Sequence, residues 1–374
     1  MSRVERRKRV PLWKRILIGL MILVLVLVAA AAGLVLWLSV TEYKPDAEEV
    51  LAVATTQELA ENGKAYQPKA GQTLTVMTWN VGYGALGDDA DFFMDGGTSV
   101  RAETEERVGE NLTGITSALK GANADIVLLQ EVDKDASRSY HIDEEAWIRA
   151  GFEPGATCAT FAYNYMTPFV PYPMPPLGKI EAGLLTISKL PIESATRVQL
   201  PVPFSWPVRT VNLKRCLAVN RIPVTGSKKE LVIVNLHLEA YDDGEGKAAQ
   251  TAMLNDFLQA EAEKGNYVIA GGDFNQKFSG TDSSAYPYQE GLWECGLLEE
   301  EDFADGWQFI MDNKVPSCRS LDRAYAGADK ENFQYYLIDG FIVSKNVEVL
   351  DYATQNLGFV VSDHNPVLMR VKLK

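Results

Sequence analysis

Leu231-Val-Ile-Val-Asn-Leu-His237 and Tyr267-Val-Ile-Ala-Gly-Gly-Asp273 are short runs of mostly apolar residues, each closing on a side chain able to move a proton. Leu74-Thr-Val-Met-Thr-Trp-Asn80, Asp125-Ile-Val-Leu-Leu-Gln-Glu131 and Tyr336-Leu-Ile-Asp339 end in the same way. Runs of this length, rich in β-branched residues, predict strands. Side chains alternate along a strand, so Val232, Val234, Leu236 and Leu238 share one face while Asn235 and His237 share the other. A histidine at the polar end of a strand can therefore face a cleft.

Working outward, 103–120 carries apolar residues at Val108, Leu112, Ile115 and Leu119, the stripe of one helical face. Residues 246–264 repeat the pattern with Ala249, Met253, Phe257 and Ala260, and Gly265 stands where a helix stop belongs. Both stripes are expected to pack into a core. Strands alternating with such helices from Leu74 onward predict an α/β domain over 74–374, without an internal repeat or second linker.

The first forty residues have another composition. Arg3, Arg6, Arg7, Lys8, Arg9, Lys14 and Arg15 stand against Glu5 alone, and 16–40 then carries no charge. As a helix these 25 residues reach about 37 Å, enough for a hydrocarbon core of ~30 Å. A cleaved signal sequence would have an apolar region of only ~7–15 residues, whereas the small residues Ala29 to Ala32 lie inside this one. The reading is a basic cytoplasmic tail (1–15), a transmembrane helix (16–40), a polar stalk or short helix leading from the membrane (41–73), and a catalytic domain outside the cytoplasm by the positive-inside rule. Removing those seven bases and one acid from totals of 36 and 50 leaves 29 and 49, a formal charge of −20 on the remainder. Such a surface repels long polyanions, which weakens a nucleic-acid reading without excluding it.

Four cysteines, Cys158, Cys216, Cys295 and Cys318, lie far apart without zinc-ligand spacing, leaving disulfides and buried thiols equally open. The proline-rich stretch 165–178 is expected to be a loop, because proline lacks the donor that a helix or central strand needs. It reads either as a stiff connector or as an aromatic wall beside a cleft or a membrane, with 169–177 able to rest on a bilayer.

Gly271-Gly-Asp-Phe-Asn275 sets a carboxylate and an amide two residues apart, and Ser362-Asp-His-Asn-Pro366 sets an acid beside an imidazole ahead of a final strand. Each alone is also compatible with a simple turn. Taken in order, Trp79-Asn80, Gln130-Glu131, Asn235-Leu-His237, Gly272-Asp-Phe-Asn275, Ile338-Asp339 and Ser362-Asp-His364 resemble the endonuclease/exonuclease/phosphatase superfamily, the deoxyribonuclease I-like fold. The resemblance runs from Leu74 to the C-terminus. It implies a four-layer sandwich, two mainly antiparallel sheets flanked by helices, with the strand ends meeting at one cleft that binds a divalent cation.

By the same resemblance, Asn80, Glu131 and Asp363 hold Mg²⁺, with Mn²⁺ possible; hard oxygen donors suit such an ion. Asp273 orients and deprotonates the attacking water, Asn275 hydrogen-bonds water or phosphate, and His364 pairs with Asp339. His237 is the second proton-handling group, and the resemblance leaves open which histidine protonates the leaving oxygen. Glu181 stands where an acid would orient His237. Arg138 and Tyr140 are candidates for phosphate contact, while His141 reads as a surface residue. The expected partners are a phosphodiester substrate, either nucleic acid or a lipid head group, and the bilayer around the N-terminal helix; no protein partner is evident. The expected activity is nuclease-like hydrolysis of phosphodiester bonds; a phospholipid or sphingomyelin-type phosphodiesterase or an inositol-phosphate phosphatase is the enzymatic alternative, the latter drawing on Arg209, Lys214 and Arg215. A catalytically inactive surface binding module is the alternative of another class, opposed by the presence of every expected carboxylate, amide and histidine.

Overall fold

The computed structural model describes residues 11–152, 155–242 and 244–374. Most of the basic tail, from Arg3 to Arg9, lies outside the described residues. The chain begins with α1 (Leu12–Val40), β1 (Glu48–Val50), β2 (Val53–Thr55), α2 (Gln57–Tyr66), β3 (Thr73–Asn80), α3 (Glu105–Ala122) and β4 (Ile126–Asp133). Next come α4 (Glu144–Ala150), β5 (Cys158–Val170), β6 (Gly178–Ser188), β7 (Ser194–Gln199), β8 (Cys216–Pro223), β9 (Glu230–His237), α5 (Glu245–Glu263) and β10 (Tyr267–Asp273). The C-terminal part adds β11 (Gln276–Phe278), β12 (Gly296–Leu298), β13 (Trp307–Ile310), β14 (Cys318–Arg319), β15 (Tyr335–Tyr336), β16 (Asp339–Ser344), β17 (Val347–Thr354) and β18 (Val367–Leu373).

Two seven-stranded sheets result, one ordered β1-β7-β8-β9-β10-β16-β13 and the other β17-β18-β3-β4-β6-β5-β2. Each has one parallel pair, β9 with β10 and β3 with β4, and is otherwise antiparallel. Strand alternation sorts the side chains into layers. Leu74, Val76, Ile126 and Leu128 meet Leu231, Ile233, Ile269 and Phe341 between the sheets. Met77, Trp79, Val127 and Leu129 point the other way, against Val108, Leu112, Ile115 and Leu119 of α3. Val232, Val234 and Leu236 likewise pack on Leu254 and Leu258 of α5. The expected four layers are therefore present, helix, sheet, sheet, helix.

Four elements differ from the sequence reading. First, 41–73 does contain a short helix, α2, but instead of leading away as a stalk it is built into the domain: β1 pairs with β7, β2 pairs with β5, and Leu59 of α2 is buried in the inter-sheet core. Short polar strands at sheet edges leave no periodic signature. Second, residues 165–170 continue β5 through Pro168, and the ladder shifts register between Thr167 and Val170 where proline lacks its donor. Third, α5 turns Gln250, Leu254, Leu258 and Glu261 inward while Ala249 and Ala260 face solvent, one residue out of phase with the expected stripe. Fourth, Asp339 starts a strand instead of ending one, since the apolar residues that fill the core follow it.

The helix α1 is long and apolar enough to cross a membrane. It begins at Leu12, slightly ahead of the uncharged run.

Candidate active site

The parallel pair β9 and β10 ends on His237 and Asp273, which are direct neighbours in the ladder. Antiparallel β16 must present its beginning at the same level, and this sets Asp339 opposite Asp273. The other sheet ends its parallel pair on Asn80 and Gln130, with Glu131 one residue beyond. Here the β4 ladder slips between Leu129 and Val132, and Glu131 takes φ +55°, a bulge that re-aims its side chain. The turn before β18 supplies Asp363 and His364. Ser362 Oγ fixes that turn by donating to Asn80 O at 2.9 Å, and Trp79 Nε1 donates to His364 O at 2.8 Å.

These groups form one connected cluster. Asn80 Nδ2 donates to Glu131 Oε1 at 3.1 Å and to Asp273 Oδ2 at 3.0 Å. Asp273 Oδ2 lies 3.5 Å from His237 Nε2 and 3.8 Å from His364 Nε2. His364 Nδ1 sits 2.8 Å from Asp339 Oδ2, which leaves Nε2 facing the cleft. Asn275, at φ +51°, donates its backbone N–H to Asp273 Oδ1 at 2.9 Å and its amide to Leu238 O. Gly82, at φ +53°, lies so close to Asp363 that a Cβ there would come within 2.8 Å of Oδ1. The glycines ahead of Asp273 serve packing instead: a Cβ on Gly272 would collide with Leu236 O in the next strand.

Electrostatics divide the two histidines. Burial would lower His364, but the charge and hydrogen bond of Asp339, together with the charges of Cys318 and Asp363, outweigh it and hold the imidazole well above its ordinary value. Burial also lowers His237, reinforced by Arg215 and His364, and holds it well below its ordinary value. Its Nδ1 is buried without a partner. Burial and the neighbouring Asp339 raise Asp273 to about 7, and burial with the nearby Glu131 raises Asp363 to about 6. Three carboxyl groups, Asp339, Asp273 and Asp363, thus lie 2.8, 3.8 and 3.9 Å from the ring nitrogens of His364. Excess buried negative charge on hard oxygen donors is what a divalent cation relieves, so Glu131 and Asp363 fit such an ion, and Asn80, whose Oδ1 accepts from Gly82 N–H while Nδ2 faces Glu131, offers its oxygen only with the amide turned over.

All eight expected residues, Asn80, Glu131, His237, Asp273, Asn275, Asp339, Asp363 and His364, come together here. The secondary candidates do not. Glu181 pairs with Lys179 at 2.8 Å, on β6, and makes no contact with His237. Arg138 is buried, bound by Asp133 at 2.9 Å and stacked on Tyr83 at 3.7 Å. Tyr140 donates to Glu103 O, and His141 is an exposed partner of Asp135. Arg215 is committed to Glu239, while Arg209 and Lys214 both face Glu42, so no basic pocket arises from them.

Tyr241 and Asp95 had no sequence signal because they meet only in space. Tyr241 Oη donates to Asp95 Oδ1 at 3.0 Å and its ring lies 6.2 Å from Trp293, forming an aromatic rim. Burial, with the charges of Asp363 and Glu131 behind it, raises Asp95 to about 7. Below the cleft, Gln130 Nε2 donates to Asn235 Oδ1 at 2.8 Å, joining the two sheets under the reactive groups.

The family model described as endonuclease/exonuclease/phosphatase matches residues 77–364, which span every one of these groups. The chain belongs to the endonuclease/exonuclease/phosphatase family. An endonuclease/exonuclease/phosphatase from Beutenbergia cavernae shares the fold, with a TM-score of 0.56 at 18% identity over 81% of this chain and 72% of that one. The human nocturnin catalytic domain aligns at TM-score 0.49 and 17% identity over 87% and 98% of the two chains. Truncated Caenorhabditis elegans TDP2 aligns at 0.49 and 15% over 81% and 98%. No curated protein sequence matches the chain. Members of this endonuclease/exonuclease/phosphatase family are metal-dependent hydrolases of phosphodiester bonds, and the chain is accordingly an enzyme of that class.

Proposed function

We propose that this protein is a Mg²⁺-dependent phosphodiesterase, anchored in a membrane by α1 with its catalytic domain outside the cytoplasm. The observation that carries the reading is the position of Asp273, whose Oδ2 lies within 4 Å of two histidines and in hydrogen-bond contact with Asn80. Asn80, Glu131 and Asp363 would hold the ion, Mn²⁺ being an alternative, and when bound it supplies charge neutralisation at the phosphoryl oxygens. Asp273 orients the attacking water and takes its proton, and Asn275 keeps that carboxylate aimed through its backbone N–H. His364, oriented by Asp339, presents Nε2 as proton donor to the leaving oxygen. His237, with no group on Nδ1, contributes a neutral imidazole at the opposite side of the same carboxylate.

A nuclease-like centre on a body of charge −20 leaves two substrates in view, extracellular nucleic acid and a lipid head group. The second is favoured by Arg209, Lys214 and Arg215 being consumed in ion pairs, which leaves them unable to track a polyanion. The test is Mg²⁺-dependent cleavage by the full chain in nanodiscs, offered DNA, RNA and mixed phospholipids side by side. Phosphorylated head groups are the expected product. Cleavage of nucleic acid alone would overturn the lipid preference, and activity only on phosphomonoesters would overturn the diester reading itself.

A further inference from the structure

The last turn of α1 is locked to the catalytic domain. Trp206 Nε1 donates to Ser39 Oγ at 2.9 Å, and α1 touches both β5 and the short turn Val208–Val211. Just beyond the helix the buried Glu42 carboxylate faces Lys44 at 3.5 Å, Arg209 at 3.3 Å and Lys214 at 3.4 Å. No slack separates helix from domain, so the height of the domain follows from the height of the helix end.

A 25-residue uncharged helix of about 37 Å overreaches a hydrocarbon core of ~30 Å, which leaves its final turn, with Trp37 and Ser39, at the lipid–water interface. The hydrogen bond to Ser39 holds Trp206 at that same level. Trp206 is 59% exposed and Val208 beside it 52%. In the neighbouring β5–β6 connection, Tyr172 is 69% exposed and Met174 85%. A single apolar cluster containing Val170, Leu177 and Val211 underlies both segments. Tryptophan and tyrosine are the side chains that settle at head-group depth, an apolar ring with one polar atom.

We infer that Trp206, Val208, Tyr172 and Met174 form a seat that enters the leaflet at the C-terminal end of α1, so that the catalytic domain lies on the membrane. The inference rests on α1 being a membrane span. Lipid is the occupant because the seat continues the surface where the helix leaves the bilayer. The seat also adjoins the cleft: Tyr172 packs edge-on against Phe93 at 5.8 Å, and Asp95, two residues on, meets Tyr241 at the rim. This brings the Asp95 side of the cleft toward the head-group layer, where a lipid diester would present itself.

The test is tryptophan quenching by phospholipids brominated on the acyl chain, with the full chain in nanodiscs and single substitutions W37F, W206F and W147F. Trp147 is 42% exposed but lies on α4, away from α1, and serves as the control. The expected result is that W37F and W206F each remove part of the quenched emission and W147F removes none. Quenching that W37F reduces and W206F leaves unchanged would overturn the seat while keeping the anchor. Absence of any quenching would overturn the anchor and the seat together. W206F alters an exposed ring, so an unchanged melting midpoint accompanies the expected result.

Discussion

At the scale of single residues, Glu131 and Asp273 make the sharpest case, because both exchange charge for an amide without changing shape. Glu131→Gln and Asp273→Asn are expected to fold normally and to lower turnover at saturating Mg²⁺ by ~10³-fold or more, the upper range of a lost acid–base or charge contribution. Near wild-type rates with intact structure would remove both from the mechanism. His237→Ala and His364→Ala are each expected to cost ~10²–10⁴-fold. Asp339 on Nδ1 fixes the orientation of His364, so a substrate with a p-nitrophenolate leaving group, which needs no proton, should restore much of the His364→Ala loss and little of the His237→Ala loss. Rescue in the opposite order would exchange their roles. Seven of the eight residues that meet at the cleft were legible because each closes or directly follows a strand or sits in a turn, where alternation and short motifs fix the direction of a side chain, while Asp339 opens β16 instead. Glu181 was not, since a glutamate two residues from Lys179 finds that partner first. Tyr241 and Asp95 stand 146 positions apart and could be joined only by the fold.

Among the elements, α5 shows how polar residues displace an apolar phase. Its inward line contains Gln250 and Glu261, and the burial of these two is tolerable only because each has partners. Gln250 Nε2 donates to Pro201 O at 2.9 Å, and Glu261 receives Arg221 at 2.7 Å, Lys264 at 2.8 Å and Asn266 at 2.7 Å. Burial alone would raise Glu261, but the hydrogen bonds from Arg221, Lys264 and Asn266 outweigh it and hold the carboxyl at about 2. A depressed carboxyl contributes stability that is present above its unfolded value and lost as pH falls toward the folded one. Glu261→Gln is therefore expected to destabilise the protein at pH 7 by on the order of 2 kcal/mol. The difference from wild type should shrink as the pH is lowered from the ordinary glutamate range toward 2, measured by urea unfolding at each pH. A penalty independent of pH would show that packing, not charge, ties α5 to β8. A periodicity count could not have found this phase, because it scores alanine above glutamine and glutamate. The same limit hid β1 and β2, whose strand character comes from edge pairing with β7 and β5 rather than from their own residues. Pro168 misled for a related reason: a bulge in β5 removes the need for its missing donor.

For the whole molecule, the sequence divided the chain into an apolar helix and an α/β body, but it placed a stalk or short helix between them where the structure has a locked joint at Ser39 and Glu42. That joint puts the domain on the C-terminal side of α1, so the location of the domain reduces to the orientation of the helix. Seven bases on the N-terminal flank and acids from Glu42 onward favour an inward N-terminus. The cysteines stand against this at first sight, since Cys158, Cys216, Cys295 and Cys318 are all free thiols and oxidising compartments usually bond them. Burial answers the objection: it raises Cys158 and Cys216 to about 11, suppressing the thiolate that exchange chemistry requires. Protease added to intact cells is accordingly expected to remove the catalytic domain and spare a tag fused ahead of Arg3. Replacing Arg3, Arg6, Arg7, Lys8 and Arg9 by glutamine should turn part of the population around and protect that share of the domain. Full protection of the wild-type domain, with digestion of the tag in opened cells only, would place the catalytic site in the cytoplasm and leave the membrane seat facing the inner leaflet.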